Sequence, residues 1–228
     1  MDLMRETLEA GLPQLGLELD SETCEKLCAF GAAVVKQNEV MNLTAITEPD
    51  QVAKLHLLDS LSVLKCADLR GKTLIDVGCG AGFPGVPTAI ACPEAKVTLL
   101  DSLAKRVNWL EGILPELGVG NATCITARAE EAVVKCREQY DFATSRAVAR
   151  LNILLELTAP YVRVGGKVLA LKGAAAREEL AEAKNAIRKL GLQLEEVKDF
   201  PVDGTSHSVI ILRKVHPTPP QQLSRFNL

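Results

Sequence analysis

The spacing of apolar residues changes character near residue 71. Before that point apolar positions recur at helical intervals. Residues 2–10 carry a short helical pattern ended by Gly11 and Pro13. Asp20 or Ser21 can cap a second helix, with apolar positions at Cys24, Leu27, Cys28, Val34 and Val35. A loop spans Asn38–Pro49, and Asp50 is placed to cap a third helix that runs to about Cys66 and is closed by Gly71. Beyond it, β-type and helical stretches alternate. Strands are predicted at Thr73–Val77, Lys96–Leu100, Ala122–Thr126, Phe142–Thr144, Lys167–Leu171, Leu194–Phe200 and Ser208–Arg213. Helical patterns fall at about 85–92, 102–117, 129–138, 150–162 and 174–190, the last closed by Gly191.

Strands alternating with helices imply right-handed crossovers and a mostly parallel sheet covered on both faces. Only Pro201–His207 separates the last two strands. That is too short for a parallel crossover, so they should form an antiparallel hairpin. The expected organisation is a helical extension over 1–70, an α/β domain over 71–215 and a proline-rich tail over 216–228. The extension reads as a small appendage to the α/β core.

Composition narrows the class. Apolar content of 47% and charged content of 24% are ordinary for a globular protein. No run approaches the roughly 20 apolar residues of a membrane helix, and no signal peptide is evident at the start. The seven cysteines include no Cys-x-x-Cys pair, which argues against a zinc site or a redox pair and for free thiols in a reducing cytoplasm. The net charge of −3 is unevenly spread: residues 1–70 carry 6 Lys/Arg against 12 Asp/Glu. Within 143–177 stand Arg146, Arg150, Arg163, Lys167, Lys172 and Arg177 against the single acid Glu156, a count that fits a local basic surface and scattered solvated charges equally well.

The chemistry concentrates at Leu74–Gly85. A buried strand runs into Asp76-x-Gly78-x-Gly80-x-Gly82, and Pro84 and Pro87 mark a helix start. Strand, glycine loop and helix N-terminus together form a nucleotide-type cofactor site. In this register three glycines would expose successive backbone N–H groups. Asp101 ends the next strand, 23 residues after Gly78, where its carboxylate can accept both hydroxyls of an adenosine ribose. NAD and S-adenosylmethionine share that ribose. Two features favour S-adenosylmethionine: Asp76 could pair with a methionyl ammonium but would repel a pyrophosphate, and a terminal hairpin is not needed by a dehydrogenase sheet. The pattern resembles the class I S-adenosylmethionine-dependent methyltransferases, with a Rossmann-like, seven-stranded sheet ending in an antiparallel hairpin.

The segment after the fourth strand narrows the acceptor. It holds neither a Pro-Cys nucleophile nor an Asn/Asp-Pro-Pro-aromatic loop, but Thr144-Ser145-Arg146-Ala147-Val148-Ala149-Arg150. An arginine-bearing loop suits an acceptor that is already nucleophilic, such as guanine N7, which needs positioning and electrostatics but no general base.

Over nearly its whole length the chain resembles the glucose-inhibited division protein B family (RsmG), the bacterial small-subunit rRNA guanine-N7 methyltransferases. The segments that carry the resemblance are Asn42-Leu43-Thr44, His56-Leu57-Leu58-Asp59-Ser60, Asp76–Pro84, Asp101-Ser102-Leu103-Ala104-Lys105-Arg106, Ala129-Glu130, Ser145-Arg146-Ala147-Val148-Ala149 and Leu171-Lys172-Gly173. The resemblance implies cofactor contacts from Gly78, Phe83, Asp101, Ala129, Glu130 and Arg146. It places Arg146 and Lys172 near the acceptor base and its phosphates. It also implies a monomeric cytoplasmic enzyme that uses S-adenosylmethionine on 16S rRNA of the small ribosomal subunit, with no metal and no membrane. His56, Asp59 and Ser60 share one helical face and read as a polar cluster docking the helical extension on the core. Two departures concern RNA contacts at the termini: Gln37-Asn38-Glu39 stands where the family has Trp-Asn-Lys, and Pro217–Leu228 offers only Arg225. Composition and spacing leave open a small-molecule or protein methyltransferase and a non-catalytic ribosome-assembly module.

Overall fold

The computed structural model describes residues 2–202 and 205–219. Its framework is one seven-stranded sheet: β1 (Thr73–Val77), β2 (Lys96–Asp101), β3 (Ala122–Thr126), β4 (Tyr140–Arg146), β5 (Val162–Lys172), β6 (Leu192–Val202) and β7 (Thr205–Lys214). The order is β3-β2-β1-β4-β5-β7-β6. β1 to β5 pair in parallel, and β7 enters antiparallel between β5 and β6. The expected mostly parallel sheet with a terminal hairpin is therefore the fold. The hairpin strands run further than the apolar pattern suggests, with Val202 paired to Thr205 inside the stretch Pro201–His207 expected as connector. Asp203 and Gly204 lie outside the described residues, as do Arg225 and the rest of the tail after residue 219.

Apart from bulges at Tyr140/Phe142 and Leu194/Glu196, side chains alternate across the sheet. Leu74, Leu99, Phe142, Leu169, Val209 and Ile211 face one core, while Ile75, Leu100, Ala143, Val168, Ile210 and Leu212 face the other. The first core is covered by α5 (Gly85–Ala91), α6 (Ala104–Glu116) and the N-terminal helices. The second is covered by α7 (Ala129–Cys136), α8 (Leu151–Thr158), α9 (Ala176–Glu182) and α10 (Lys184–Lys189). The helix expected over 174–190 is thus two short helices meeting at Ala183, closed by Gly191 at φ +70°.

The N-terminal helices are α1 (Asp2–Gly11), α2 (Ser21–Met41), α3 (Pro49–Val52) and α4 (Asp59–Leu61). Of the two candidate caps for α2, Asp20 is used, its side chain accepting from the Thr23 N–H at 2.7 Å. Asp50 does not cap α3. Pro49 begins that helix and Asp50 lies in its first turn. Between α3 and α4 the helix widens to π geometry over Ala53–Leu58, and after α4 it tightens to 3₁₀ over Ser62–Lys65. Leu8, Leu27, Phe30, Leu57 and Leu61 belong to the same buried cluster as Leu74 and Leu99. The helical unit therefore completes the core on that face instead of hanging from it, which fixes residues 43–59 against the sheet edge where the site lies.

Candidate active site

β1 hands the chain to the glycine loop at the carboxyl edge of the sheet. Val77 pairs with Leu100, whose carbonyl accepts from the N–H groups of both Gly78 (2.8 Å) and Cys79 (3.0 Å). Gly78, Gly80 and Gly82 take φ of +72°, +56° and +96°, which glycine alone adopts without strain. Their N–H groups are not free, as the sequence suggested. Gly78 donates to Leu100, Gly80 to Asp101 Oδ2 at 2.9 Å, and Gly82 to the Cys79 carbonyl at 2.7 Å. What the loop offers is a face without side chains. A Cβ on Gly80 would meet nothing within 4 Å, whereas one on Gly78 would lie 2.6 Å from Val148 Cγ2.

Two cavities open beside this loop, of about 960 and 270 Å³, and Gly78, Asp101, Ser102 and Val148 line both. Asp101 is buried and accepts from the N–H groups of Gly80 and Leu103, one on each oxygen. A carboxylate has about four lone-pair sites, so acceptor capacity remains at the junction of the cavities. The smaller cavity is walled by Val77, Leu100, Ala127, Ala129 and Leu157, with Glu130 at its rim. Glu130 stands in the first turn of α7, where the helix dipole favours a carboxylate, and the Tyr161 hydroxyl holds the Ala129 carbonyl at 2.5 Å.

Asp76 lies under the loop, fully buried, and lines neither cavity. Its Oδ2 accepts from the Gly85 N–H at 2.8 Å, and its Oδ1 has no hydrogen-bond partner among the described residues. Burial pushes this carboxyl up to about 7, the Gly85 hydrogen bond opposing and nearby Asp101 adding to the rise. Its reach toward a ligand runs through the loop it braces.

The opposite wall is built around Arg146, the last residue of β4. Nη1 donates to the Leu55 carbonyl at 2.7 Å and to Asp59 Oδ2 at 2.9 Å, while Nη2 lies 3.1 Å from His56 Nδ1. The guanidinium carbon sits 5.1 Å from the centre of the Phe83 ring, which stacks on His56 at 4.7 Å and 22°. His56 Nδ1 lies near two groups of opposite demand, Arg146 Nη2, which can only donate, and the Leu55 carbonyl at 3.1 Å, which can only accept; with Nδ1 accepting from the arginine, Nε2–H donates to Thr44 Oγ1 at 2.8 Å. Burial, with Arg146 beside it, drives His56 down to about 4, so the ring is neutral at pH 7. Burial acts against the charge of Asp59, but hydrogen bonds from His207 and Arg146 outweigh it and hold the carboxyl below its ordinary range. The π segment is where Leu55 and His56 meet the arginine, in keeping with the tendency of such turns to mark functional sites.

Lys172 ends β5 with its side chain buried. It donates to the Ala149 carbonyl at 2.6 Å and pairs with Glu179 at 2.8 Å, and Glu179 also accepts from the Leu151 N–H. These contacts tie the 147–150 loop, in which Ala147 has φ +56°, to α9. Of the two readings of the basic residues over 143–177, the ion pairs favour separately balanced charges over an open basic surface. Each of the six basic residues faces a carboxylate: Arg146 Asp59, Arg150 Glu178 and Glu182, Arg163 Asp141, Lys167 Glu195, Lys172 Glu179, and Arg177 Asp199.

The structure thus brings Gly78, Gly80, Phe83, Asp101, Arg146 and Lys172 to the larger cavity, and Gly78, Asp101, Ala129 and Glu130 to the smaller. Sequence reasoning set His56 and Asp59 aside as docking residues, yet both line the larger cavity, as does His207, which it did not single out. The available signal for His207 was topological: the first residues of an antiparallel strand lie at the carboxyl edge of its parallel neighbour.

Comparison with known proteins decides the family. Residues 23–208 match the model of the family described as rRNA small subunit methyltransferase G. The chain belongs to that family. Among its relatives, the ribosomal RNA small subunit methyltransferase G of Clostridium beijerinckii is 41% identical over 96% of this chain and 92% of its own. That of Alkaliphilus metalliredigens is 42% identical over 93% and 91%. The fold recurs in the 16S rRNA (adenine(1408)-N(1))-methyltransferase of Catenulisporales acidiphilia, with a TM-score of 0.56 and 15% identity over 70% of this chain and 93% of that one. This member of the methyltransferase G family is accordingly a methyltransferase with a class I S-adenosylmethionine-dependent fold. No helix among its described residues is long and apolar enough to cross a membrane.

Proposed function

We propose that this protein transfers a methyl group from S-adenosylmethionine to N7 of a guanine in 16S rRNA of the small ribosomal subunit. Membership of the methyltransferase G family carries the reading. The residues available at the sheet edge support it. Asp101, with spare lone pairs between the two cavities, would take the ribose hydroxyls, and the open face of Gly80 leaves room beside it. The small apolar cavity with Glu130 at its rim fits an adenine ring. When bound, S-adenosylmethionine supplies a sulfonium methyl group.

The residues of the opposite wall suit an acceptor that brings its own lone pair. Both ring nitrogens of His56 are engaged, so it is not poised as a base, and guanine N7 requires none. Methylation turns the purine into a cation. A bare arginine beside it would oppose that change, but Asp59 balances Arg146 and leaves a fixed, oriented guanidinium against Phe83. Arg146 and Phe83 then position the base, and the Lys172–Glu179 pair holds the 147–150 loop that closes over Gly78.

The experiment is mass mapping of 16S rRNA from a strain lacking the gene and from the same strain complemented with wild type or Arg146→Ala. One 7-methylguanine should vanish, return with wild type and stay absent with Arg146→Ala. Unchanged guanine methylation in the deleted strain would sink the reading.

A further inference from the structure

The strand order divides the larger cavity between two sources. β1 and β2 bring the glycine loop and Asp101, and α7 follows β3 at the adjoining small cavity. β4, β5 and β7 bring Arg146, Lys172 and His207. β7 runs antiparallel to β5, with Ser208 opposite Lys172, so His207 arrives at the carboxyl edge from the start of its strand. If the first half holds the methyl donor, the acceptor base meets the second.

Most polar side chains of that second half already have partners. Arg146 donates through both terminal nitrogens, and His56 is engaged at both ring nitrogens. Asp59 accepts on both oxygens, from Arg146 and from His207. Lys172 and Glu179 hold each other and the backbone of the adjoining loop. His207 differs. Its Nδ1 lies 2.8 Å from Asp59 Oδ1, and its Nε2 has no hydrogen bond among the described residues. An ionised carboxylate can only accept, so Nδ1 carries a proton. A neutral imidazole held this way presents a lone pair at Nε2, and the ring lines the cavity.

We infer that His207, oriented by Asp59, contacts the acceptor base and accepts a hydrogen bond from the N1–H or 2-amino group of guanine. The inference rests on the guanine-N7 reading. In the reaction the N7 lone pair forms a bond to the methyl carbon, the carbon–sulfur bond breaks with its electrons on sulfur, and positive charge moves onto the purine. Guanine N1–H and its 2-amino group become stronger donors as that charge develops. An acceptor facing them binds the transition state more tightly than the ground state. No proton leaves the base, so His207 acts by hydrogen bonding and not as a general base. Adenine would set its own N1 lone pair against Nε2, which is discrimination by repulsion.

The test compares wild type with His207→Ala, His207→Phe and His207→Gln, using small subunits from a strain lacking the gene. S-adenosylmethionine affinity is measured by calorimetry, and kcat/KM by transfer of labelled methyl to guanine. The donor Kd should stay within about twofold in every variant, which also reports that each is folded, because the donor half is untouched. kcat/KM for the subunit should fall about 10- to 100-fold in the Ala and Phe variants, as for loss of one good base contact. Gln, whose amide oxygen can accept, should recover part of it. Wild-type kcat/KM in Ala and Phe, a loss matched by equal loss of donor affinity, or a Gln variant no better than Phe would each overturn the proposal. Absence of transfer by the wild type would instead overturn the guanine reading and this inference with it.

Discussion

Replacing Asp59 with alanine removes the carboxylate that holds Arg146 and His207. The Arg146 side chain is 17% exposed and that of Asp59 is 9% exposed, so little water can replace the lost partner. Removing one member of a buried pair costs about 3–5 kcal/mol, because the remaining charge stays desolvated. The lower end applies here, since Arg146 keeps the Leu55 carbonyl and the Phe83 face. A loss of about 3 kcal/mol from a domain whose stability is on the order of 5–15 kcal/mol leaves a folded but weakened protein. At this chain length it corresponds to a drop in Tm of roughly 6–12 °C. Thermal unfolding of Asp59→Ala is one half of the assay. The other is the double variant Asp59→Leu/Arg146→Met, which removes both charges and should recover most of the stability without activity. A Tm of the single variant within about 2 °C of wild type, or a double variant as unstable as the single, would refute the view that this pair is buried and coupled.

Three further outcomes follow from the same wall and loop. Gly78→Ala places a Cβ 2.6 Å from Val148 at φ +72°; donor affinity measured by calorimetry should fall at least tenfold, at a stability cost of about 1–2 kcal/mol for the left-handed backbone. His56 titrates near 4 in the fold against an ordinary 6.5, so the unfolded chain binds more protons between those values and stability is lost as pH falls through that window. The urea midpoint of wild type should therefore exceed that of His56→Gln by less at pH 5 than at pH 7. Asp76 has the opposite sign: its carboxyl is raised to about 7, so the fold binds the extra proton and stability is lost as pH rises from about 4 toward 7. Asp76→Asn should accordingly gain Tm over wild type at pH 8 and little at pH 5.

What could be read from the sequence was local. The alternation of Leu74 and Ile75 with Asp76, the glycines at 78, 80 and 82, and Asp101 one crossover later lie within a single βαβ unit, so spacing alone located them. Arg146 was found because it follows the fourth strand directly. The contacts that give Arg146 its orientation were not legible, because Leu55, His56 and Asp59 are about ninety residues away and meet it only once the N-terminal helices share the core of the sheet. The π segment adds a register change that helical periodicity cannot show. His207 is further still, 148 residues from Asp59, and reaches the site because β7 inserts beside β5. Charge counting could not choose between its two readings of 143–177 for the same reason. The basic residues of 143–177 are neutralised mostly by carboxylates on other elements, such as Glu195 on β6 and Glu179 on α9, which no local count can pair.

The central claim is that the cavity between the glycine loop and Arg146 is where a guanine of small-subunit rRNA receives its methyl group. The most direct measurement supplies purified protein with methyl-labelled S-adenosylmethionine and small subunits from a strain lacking the gene, then digests the rRNA to nucleosides. Label should appear in 7-methylguanosine alone, and Arg146→Ala should yield none. Label in another nucleoside, or full transfer by the Arg146 variant, would contradict the account.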